Sequence, residues 1–523
     1  MKKYLLPAAL FIGIVWDILF WEKVPGISYP VFMVISLTAG YFLLRMEKHE
    51  PSPKNIWLFG LVLLFSALTF IRKDIFTRLT GFALSFLFAL LLSATYMSGK
   101  WLRFNLVDYI RKFLHLLGQL IALPLEFLYS GKGGRERERT GNRSRLIWQI
   151  GRGLLLAIPI LIVFILLLSS ADMVFEQRVE GFLQFFNLDD LVDFFVQGLL
   201  ALIVASVFIG LVRYAEIHSA KTHQAEDEKP FIKPFLGFTE GATVLASMVI
   251  LFGIFVLIQF RYFFSGALNI TDAGFTYSEY ARRGFGELIL VAVFSLLLIQ
   301  GIRLVMKIES GKKRKVFIAL AVGLVLLVLV ILASSFQRLL LYEDAYGFTS
   351  LRIYSHVFII WLGLLLVGVI LLELFKNQRF FANSVLLAAT GFALTLNLLN
   401  PDAVIVRQNI RRAEGGKQLD AAYLALLSCD AVPQLVREYQ SSEHSAVVRD
   451  EIGAALACQD YRLEVFGRDE NRDRWQSFHF SDWRAGRFLD AVQTNLDEYE
   501  IKIGEYGSTV VSPEGVEVYC NPL

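Results

Sequence analysis

The sequence predicts an all-α polytopic transmembrane helix bundle of about 11 spans, followed by a small C-terminal α+β module. Hydrophobic residues make up 55% of the 523 residues and charged residues only 19%, whereas soluble proteins carry roughly 25% charged residues. Apolar runs of about 18 residues or more recur, and a helix of that length crosses a hydrocarbon core of roughly 30 Å. Because these runs stop near residue 400, we assign 1–400 to the transmembrane domain and 401–523 to a soluble module.

The first apolar segment opens on MKKYLLPAAL. It has the basic start and apolar core of a signal peptide but lacks a small-residue cleavage site, so we interpret it as an uncleaved first span. The predicted spans are 4–21, 29–44, 55–71, 80–97, 150–170, 191–212, 235–260, 286–306, 316–336, 353–374 and 383–399.

Loop charges predict the orientation, because Lys and Arg resist translocation. With the N-terminus in the cytoplasm, the inner segments hold about 27 Lys and Arg residues and the outer loops about 10. An odd number of spans then places the C-terminal module outside. The loop between the third and fourth spans agrees least well with this charge rule, because it would place Arg72, Lys73 and Arg78 on the outer side.

Two inner segments separate the fourth and fifth predicted spans. Residues 101–128 place apolar side chains at helical spacing with basic residues between them, which is typical of an amphipathic helix in the inner membrane interface. A re-entrant or bundle-packed helix is the alternative. Residues 131–149 form a basic, Gly-rich inner loop. Further on, His218 and His223 are five apart, a spacing that does not suit paired metal ligands on a helix.

The tail is acidic where the rest of the chain is basic. Residues 401–523 carry 13 Lys and Arg against 21 Asp and Glu, a net charge of −8, so the preceding residues carry +11. Its pattern predicts short amphipathic helices and a terminal β-hairpin. All three cysteines lie here; outside the cytoplasm a disulfide between Cys429 and Cys458 is expected, with three reduced, buried cysteines as the alternative.

Two clusters of charged and aromatic residues fall in outer loops. They either anchor the loops at the interface through salt bridges and an aromatic belt, or form one site in which arginines face an anionic headgroup, phosphate or carboxylate. Ionisable groups at this depth are costly without partners, which favours their pairing in either case. The candidate residues of this outer polar site are Glu279, Arg282, Arg283, Glu287, Arg338, Tyr342, Glu343, Asp344 and Arg352.

Motifs of familiar soluble enzymes do not occur in the sequence. It contains no phosphate-binding loop, no dinucleotide-binding glycine motif, no HExxH and no GxSxG. No catalytic residue, metal site or cofactor is therefore predicted, and a conventional hydrolase or ATP-driven pump is poorly supported. The sequence alone favours a protein that is not an enzyme.

The stretches YSEYARRGFGEL, LLLYEDAYGFTSLRIY and NPDAVIVRQNIRRAEGGKQLDAAYLALLSCDAVPQL resemble the bacterial family of domain of unknown function four-one-seven-three, close to its relative four-one-five-three. The resemblance runs from the seventh span into the tail. It implies a multi-pass protein of the bacterial cytoplasmic membrane and no particular activity.

Three functions remain open at this stage. The leading hypothesis is a non-catalytic envelope scaffold, sensor or accessory protein. A permease or flippase-like carrier of an anionic or lipid-linked substrate would use the outer clusters, with Gln259, Gln300, Thr395 and Asn397 as sparse midplane candidates. An envelope enzyme acting at the outer interface is the third. Expected partners are the lipid bilayer, an anionic lipid or envelope component and an unidentified protein, but no nucleic acid.

Overall fold

The computed structural model describes residues 2–130, 189–219, 234–263, 285–307, 311–467, 475–504 and 507–520, with scattered positions between 161 and 178. Several predicted features lie outside these ranges. They are the basic loop 131–149, most of the predicted span 150–170, His223, and Glu279, Arg282 and Arg283 of the outer polar site.

Within the described ranges, ten helices are long and apolar enough to cross a membrane. The chain is therefore a membrane-embedded helical protein. These ten are all of the following helices except α5: α1 Lys2–Phe20, α2 Ser28–Met46, α3 Ile56–Ile71, α4 Ile75–Thr95, α5 Leu106–Ser130, α6 Asp189–His218, α7 Phe238–Phe263, α8 Phe285–Val305, α9 Lys312–Tyr346, α10 Ser350–Leu374 and α11 Phe381–Leu399.

The described part of the bundle has two large apolar cores and a smaller one beside α5. One joins α1 to α4 with α6, around Phe65 and Phe88. The other surrounds α9, whose buried side chains such as Leu324 and Val328 contact α7, α8 and α10. Helix α11 contacts both α4 and α10 and so connects the halves.

Helix α5 packs on the bundle and keeps an apolar face uncovered. Leu116 and Leu123 are buried against α4 and α6, whereas Ile110 and Leu114 are exposed. The predicted helix at 101–128 is thus present, beginning at Leu106. Its placement in the inner interface stays a prediction.

The C-terminal module consists of short helices around one core and a three-stranded antiparallel sheet in the order β1-β2-β3. The predicted hairpin is present and gains a third strand. The elements are α12 Pro401–Glu414, α13 Ala421–Leu426, α14 Val432–Tyr439, α15 Ala446–Gly467, α16 Phe480–Leu489, α17 Gln493–Leu496, β1 Glu500–Gly504, β2 Gly507–Val511 and β3 Glu517–Tyr519.

The predicted disulfide between Cys429 and Cys458 is wrong. Cys458 on α15 pairs instead with Cys520, just after β3, and Cys429 is a buried free thiol. Sequence spacing could not reveal this, because the final strand returns to α15 only once the sheet has formed.

The module rests on one end of the bundle, which we call the module face. Among the described residues, three connections between spans reach it. The N–H of Ile27, before α2, donates to the carbonyl of Phe478 over 2.9 Å. Between α9 and α10, Phe348 exchanges two hydrogen bonds of 2.7 and 2.9 Å with the side-chain amide of Asn409 on α12. The α3–α4 connection makes the third contact and carries most of the charge there.

Candidate functional site at the junction of bundle and module

The residues of the cluster predicted around 338–352 do not all contact one another; they belong to two separate groups of contacts. Helix α9 ends at Tyr346, and Gly347 follows with φ +82°, a left-handed conformation that favours glycine. The guanidinium of Arg352 donates to the carbonyl of Gly347 and lies 4.1 Å from the ring centroid of Tyr342. These contacts fasten the start of α10 to the end of α9, as expected of an interfacial anchor.

Glu343 belongs to the second group of contacts, between α9 and α10. It is 1% exposed, and its Oε2 lies 2.7 Å from Nε2 of His356 on α10. Asp344 has an exposed side chain. Arg338 is half-buried on α9, and Glu287 is exposed in the first turn of α8. Because Glu279, Arg282 and Arg283 lie outside the described residues, one shared outer site remains a prediction.

A denser polar cluster, which the sequence did not indicate, lies where the α3–α4 connection meets the module. Asp430 is buried there. Its Oδ2 accepts the backbone N–H of Lys73 over 2.6 Å and that of Asp74 over 3.2 Å. Its Oδ1 accepts the Ser481 hydroxyl over 3.0 Å and lies 3.5 Å from the Arg72 guanidinium. One module carboxylate thus satisfies the backbone of a loop in the bundle.

Lys73 makes the second charged contact. Its ammonium group donates to both carboxylate oxygens of Asp482 on α16, over 2.6 and 2.7 Å. Arg72 and Lys73 were two of the three basic residues that fitted the charge rule least well. Their module partners are Asp430 and Asp482. The signal in the sequence was the coincidence of a basic connection between spans with an acidic tail.

Two further carboxylates complete the cluster. Asp74 caps α4 by accepting the Thr77 N–H over 2.8 Å, and it also accepts the hydroxyl of Tyr354 on α10. Asp402, in the first turn of α12, accepts the Ser428 N–H over 3.0 Å and its hydroxyl over 2.5 Å. Spans and module therefore share one hydrogen-bonded network.

This network changes the acidity of Asp402. Burial raises the pKa of Asp402 to about 7, and the nearby charge of Asp74 contributes in the same direction. The hydrogen bonds from Ser428 oppose the shift. Asp402 can therefore exchange a proton near neutral pH.

Replacing Asp402 should alter how stability depends on pH. With a pKa of about 7 in the folded protein and roughly 3.9 in the unfolded chain, the folded state holds the extra proton between these values. The contribution of this proton to the free energy of unfolding is full below about pH 4. It is lost as the pH rises to about 7, by at most about 1.4 kcal/mol per pH unit. The Asp402→Asn variant should not show this fall in stability, because its side chain does not ionise.

Thermal unfolding of both proteins between about pH 4 and pH 8 measures this difference. Asp497→Asn, at an exposed carboxylate of the module, is the control. Parallel pH profiles for wild type and Asp402→Asn would contradict the assignment.

A cleft of about 840 Å³ lies beside this network, between the bundle and the module. Basic side chains from both parts line it, and large apolar residues stand exposed among them. We call it the junction cleft. Its charged lining residues are Lys73, Asp74, Arg78, Asp402, Arg462 and Asp482, and its apolar ones include Ile75, Leu351, Leu426, Phe478 and Trp483.

Cys429 and His479 also line the junction cleft, but they do not form an activated thiol. Burial raises the pKa of Cys429 to about 12, and Asp482 contributes in the same direction. Burial lowers the pKa of His479, so the imidazole is neutral at physiological pH. Since the thiolate is the nucleophile in cysteine catalysis, the raised pKa of Cys429 disfavours a nucleophilic role.

Two of the four midplane candidates for a carrier make hydrogen bonds within the bundle. Thr395 accepts the Trp361 indole N–H over 3.0 Å, and the amide of Asn397 donates to the carbonyl of Ala393 over 2.8 Å. Both amide atoms of Gln259 are buried without a partner among the described residues. Gln300 is half-buried on α8.

A family model described as Domain of unknown function (DUF4153) matches residues 59–438. The chain belongs to this family. DUF4153 is the relative of the four-one-seven-three family named in the sequence resemblance, and the match begins at α3 rather than at the seventh span. It includes Arg72, Lys73 and Asp402, and it ends on α14 before Asp482. Comparisons with curated proteins and with solved structures gave no match.

Proposed function

We propose that this DUF4153 protein is an accessory or sensor protein of the bacterial envelope that holds an anionic amphiphile in the junction cleft. The observation that carries the proposal is the composition of that cleft. Its volume of about 840 Å³ falls within the roughly 300–1,000 Å³ of ligand sites. It combines three basic side chains, three acidic ones and exposed apolar side chains, and the basic ones come from both the bundle and the module.

The apolar lining lies at the ends of spans. Ile75 opens α4 and Leu351 stands at the start of α10, and they are 66% and 69% exposed. Trp483, from the module, is 48% exposed in the same cleft. Apolar residues at span ends meet lipid chains, while the charged residues beyond them meet headgroups. An amphiphile of the adjacent leaflet matches both parts.

Arg462 is the residue we assign to the anionic headgroup. One of its terminal nitrogens donates to the carbonyl of Ala425 over 2.7 Å, and its Nε is buried without a partner among the described residues. Lys73 is already held by Asp482. An arginine offers several donors in a fixed plane, which suits phosphate oxygens. Because Arg462 lines the junction cleft, its other terminal nitrogen is the donor we assign to a phosphate oxygen there.

Quenching of Trp483 by lipids with brominated chains tests this proposal in neutral detergent. Phosphatidylglycerol should quench more strongly than phosphatidylcholine of the same chains, and the Trp483→Phe variant identifies the contribution of this one indole. Arg462→Gln should weaken phosphatidylglycerol binding about tenfold, the equivalent of about 1.4 kcal/mol. Arg437→Gln, at an exposed arginine of α14, should bind normally. Equal quenching by both lipids, unchanged in Arg462→Gln, would reject the anionic ligand.

The proposal also assigns the module to the outer side, with the N-terminus in the cytoplasm. The excess of basic residues in the opposite loops supports this orientation, and so does the neutralisation of Arg72 and Lys73 by module acids. The native cysteines cannot be labelled to test this orientation, because Cys429 is buried and the other two form a disulfide. A cysteine introduced in place of the exposed Glu443 should react with an impermeant maleimide in intact cells. Labelling only after lysis would reverse the orientation.

A second candidate is an envelope enzyme that acts on the same amphiphile. Asp402 favours it, because a carboxyl that ionises near neutral pH suits a general base and lines the junction cleft. Incubation of envelope lipids with the solubilised protein, followed by mass spectrometry, distinguishes the two. A product that Asp402→Asn fails to make would establish the enzyme.

A further inference from the structure

The outer edge of the module sheet has no partner among the described residues. Strand β1 pairs only with β2, and all five of its residues are exposed. Ile501 is 40% exposed and Ile503 77% exposed. An edge strand with exposed apolar residues is a template for pairing with another chain, since its outward N–H and C=O groups lack partners.

The two charges on β1 are complementary to each other. Glu500 and Lys502 stand two residues apart on one face of the strand, and their charged groups lie 3.8 Å apart. The isoleucines occupy the other face. A lysine on an edge strand ordinarily opposes association, but here an acid is placed where it can neutralise the lysine of a second, identical strand.

We propose that β1 is a self-association surface that pairs antiparallel with β1 of a second copy about a two-fold axis at Ile501. In this register Glu500 faces Lys502 of the second copy, Lys502 faces its Glu500, and the two Ile501 side chains meet. Opposite charges that face each other across strands stabilise a sheet. The interface is the same on both copies, as in most homodimers.

The other registers of these five residues lose the pairing of opposite charges or change the face. An axis at Glu500 opposes two acids, and an axis at Lys502 opposes two lysines, both of which are unfavourable. Shifts by one residue place isoleucine opposite a charged residue on the wrong face. The register about Ile501 matches acid with base and isoleucine with isoleucine.

Disulfide trapping in native membranes tests the register. The chain's own cysteines are a buried thiol and a disulfide, so an introduced cysteine is the exposed one. In the Ile501→Cys variant, the Cα atoms of the two introduced cysteines would lie about 5 Å apart, within the range that a disulfide spans. This variant should therefore form dimers under mild oxidation. Ile503→Cys keeps both charges but separates the two thiols by roughly 14 Å, and it should form at least fivefold fewer.

Charge exchange tests the pairing itself. In the Ile501→Cys background, Glu500→Lys or Lys502→Glu alone should reduce dimer formation at least fivefold, whereas the double exchange should restore it. Coexpressed with different tags, the two single variants should form mixed dimers in preference to like dimers. No trapping at position 501, equal trapping at position 503, indifference to charge or trapping to another protein would each overturn self-association.

Discussion

Asp430→Ala should detach the C-terminal module from the bundle and destabilise the docked state by about 3–5 kcal/mol, the range seen when one partner of a buried ionic contact is removed. The substitution leaves the N–H groups of Lys73 and Asp74 and the Ser481 hydroxyl without their acceptor. The Arg72 guanidinium loses its carboxylate partner and keeps its hydrogen bond to the carbonyl of Asn397. Unsatisfied buried donors are costly because water cannot replace the lost hydrogen bonds.

Limited proteolysis and thermal unfolding of the solubilised protein measure this effect. Asp430→Ala should expose the module to protease and lower the unfolding temperature. Glu443→Ala removes an exposed acid of the same module and is the control. Asp430→Asn should fall between wild type and alanine, since its amide keeps one acceptor oxygen. A variant at Asp430 as stable as the control would show that the α3–α4 connection does not hold the module.

His356→Ala should cost a similar free energy, about 3–5 kcal/mol, through a different group. It removes the 2.7 Å partner of Glu343, which is 1% exposed on α9. The other carboxylate oxygen of Glu343 already has no partner among the described residues. The variant therefore leaves a buried carboxyl with nothing to stabilise it where α9 and α10 pack together.

The chain offers a matched control for this pair. His444 contacts Glu414 and Glu438 at 3.0 and 2.9 Å, but both carboxylates are more open to solvent than Glu343. His444→Ala should cost about 1 kcal/mol or less, as exposed ion pairs do. Combining His356→Ala with Glu343→Leu should recover much of the stability. Equal losses at 356 and 444, or no recovery in the double variant, would contradict the burial argument.

The two predicted effects bear on function in different ways. Asp430 joins parts that border the junction cleft, so its loss should also weaken amphiphile binding there. Glu343 and His356 join two spans away from the lining of that cleft. A stability loss at His356 with normal quenching of Trp483 would separate bundle packing from ligand binding.

Much of this architecture could be predicted from composition and periodicity. Transmembrane helices show in the sequence because each must satisfy its own backbone and present about 18 apolar residues to lipid. Ten of the eleven predicted spans have counterparts among the described helices. The end of α9 at Tyr346 was also predictable from a local feature. Gly347 follows it and adopts a conformation that disfavours other residues.

The candidate site was far less predictable. Counting loop charges marked Arg72 and Lys73 as exceptions but could not name their partners, which lie more than 350 residues away in the chain. The disulfide was mispredicted for the same reason. Contacts between distant segments depend on how helices and strands pack, and that packing leaves no local pattern in the sequence. Local chemistry thus decides which helices form in this chain. Tertiary packing alone decides that Asp430 contacts the α3–α4 connection and that Asp482 and Arg462 line the junction cleft beside it.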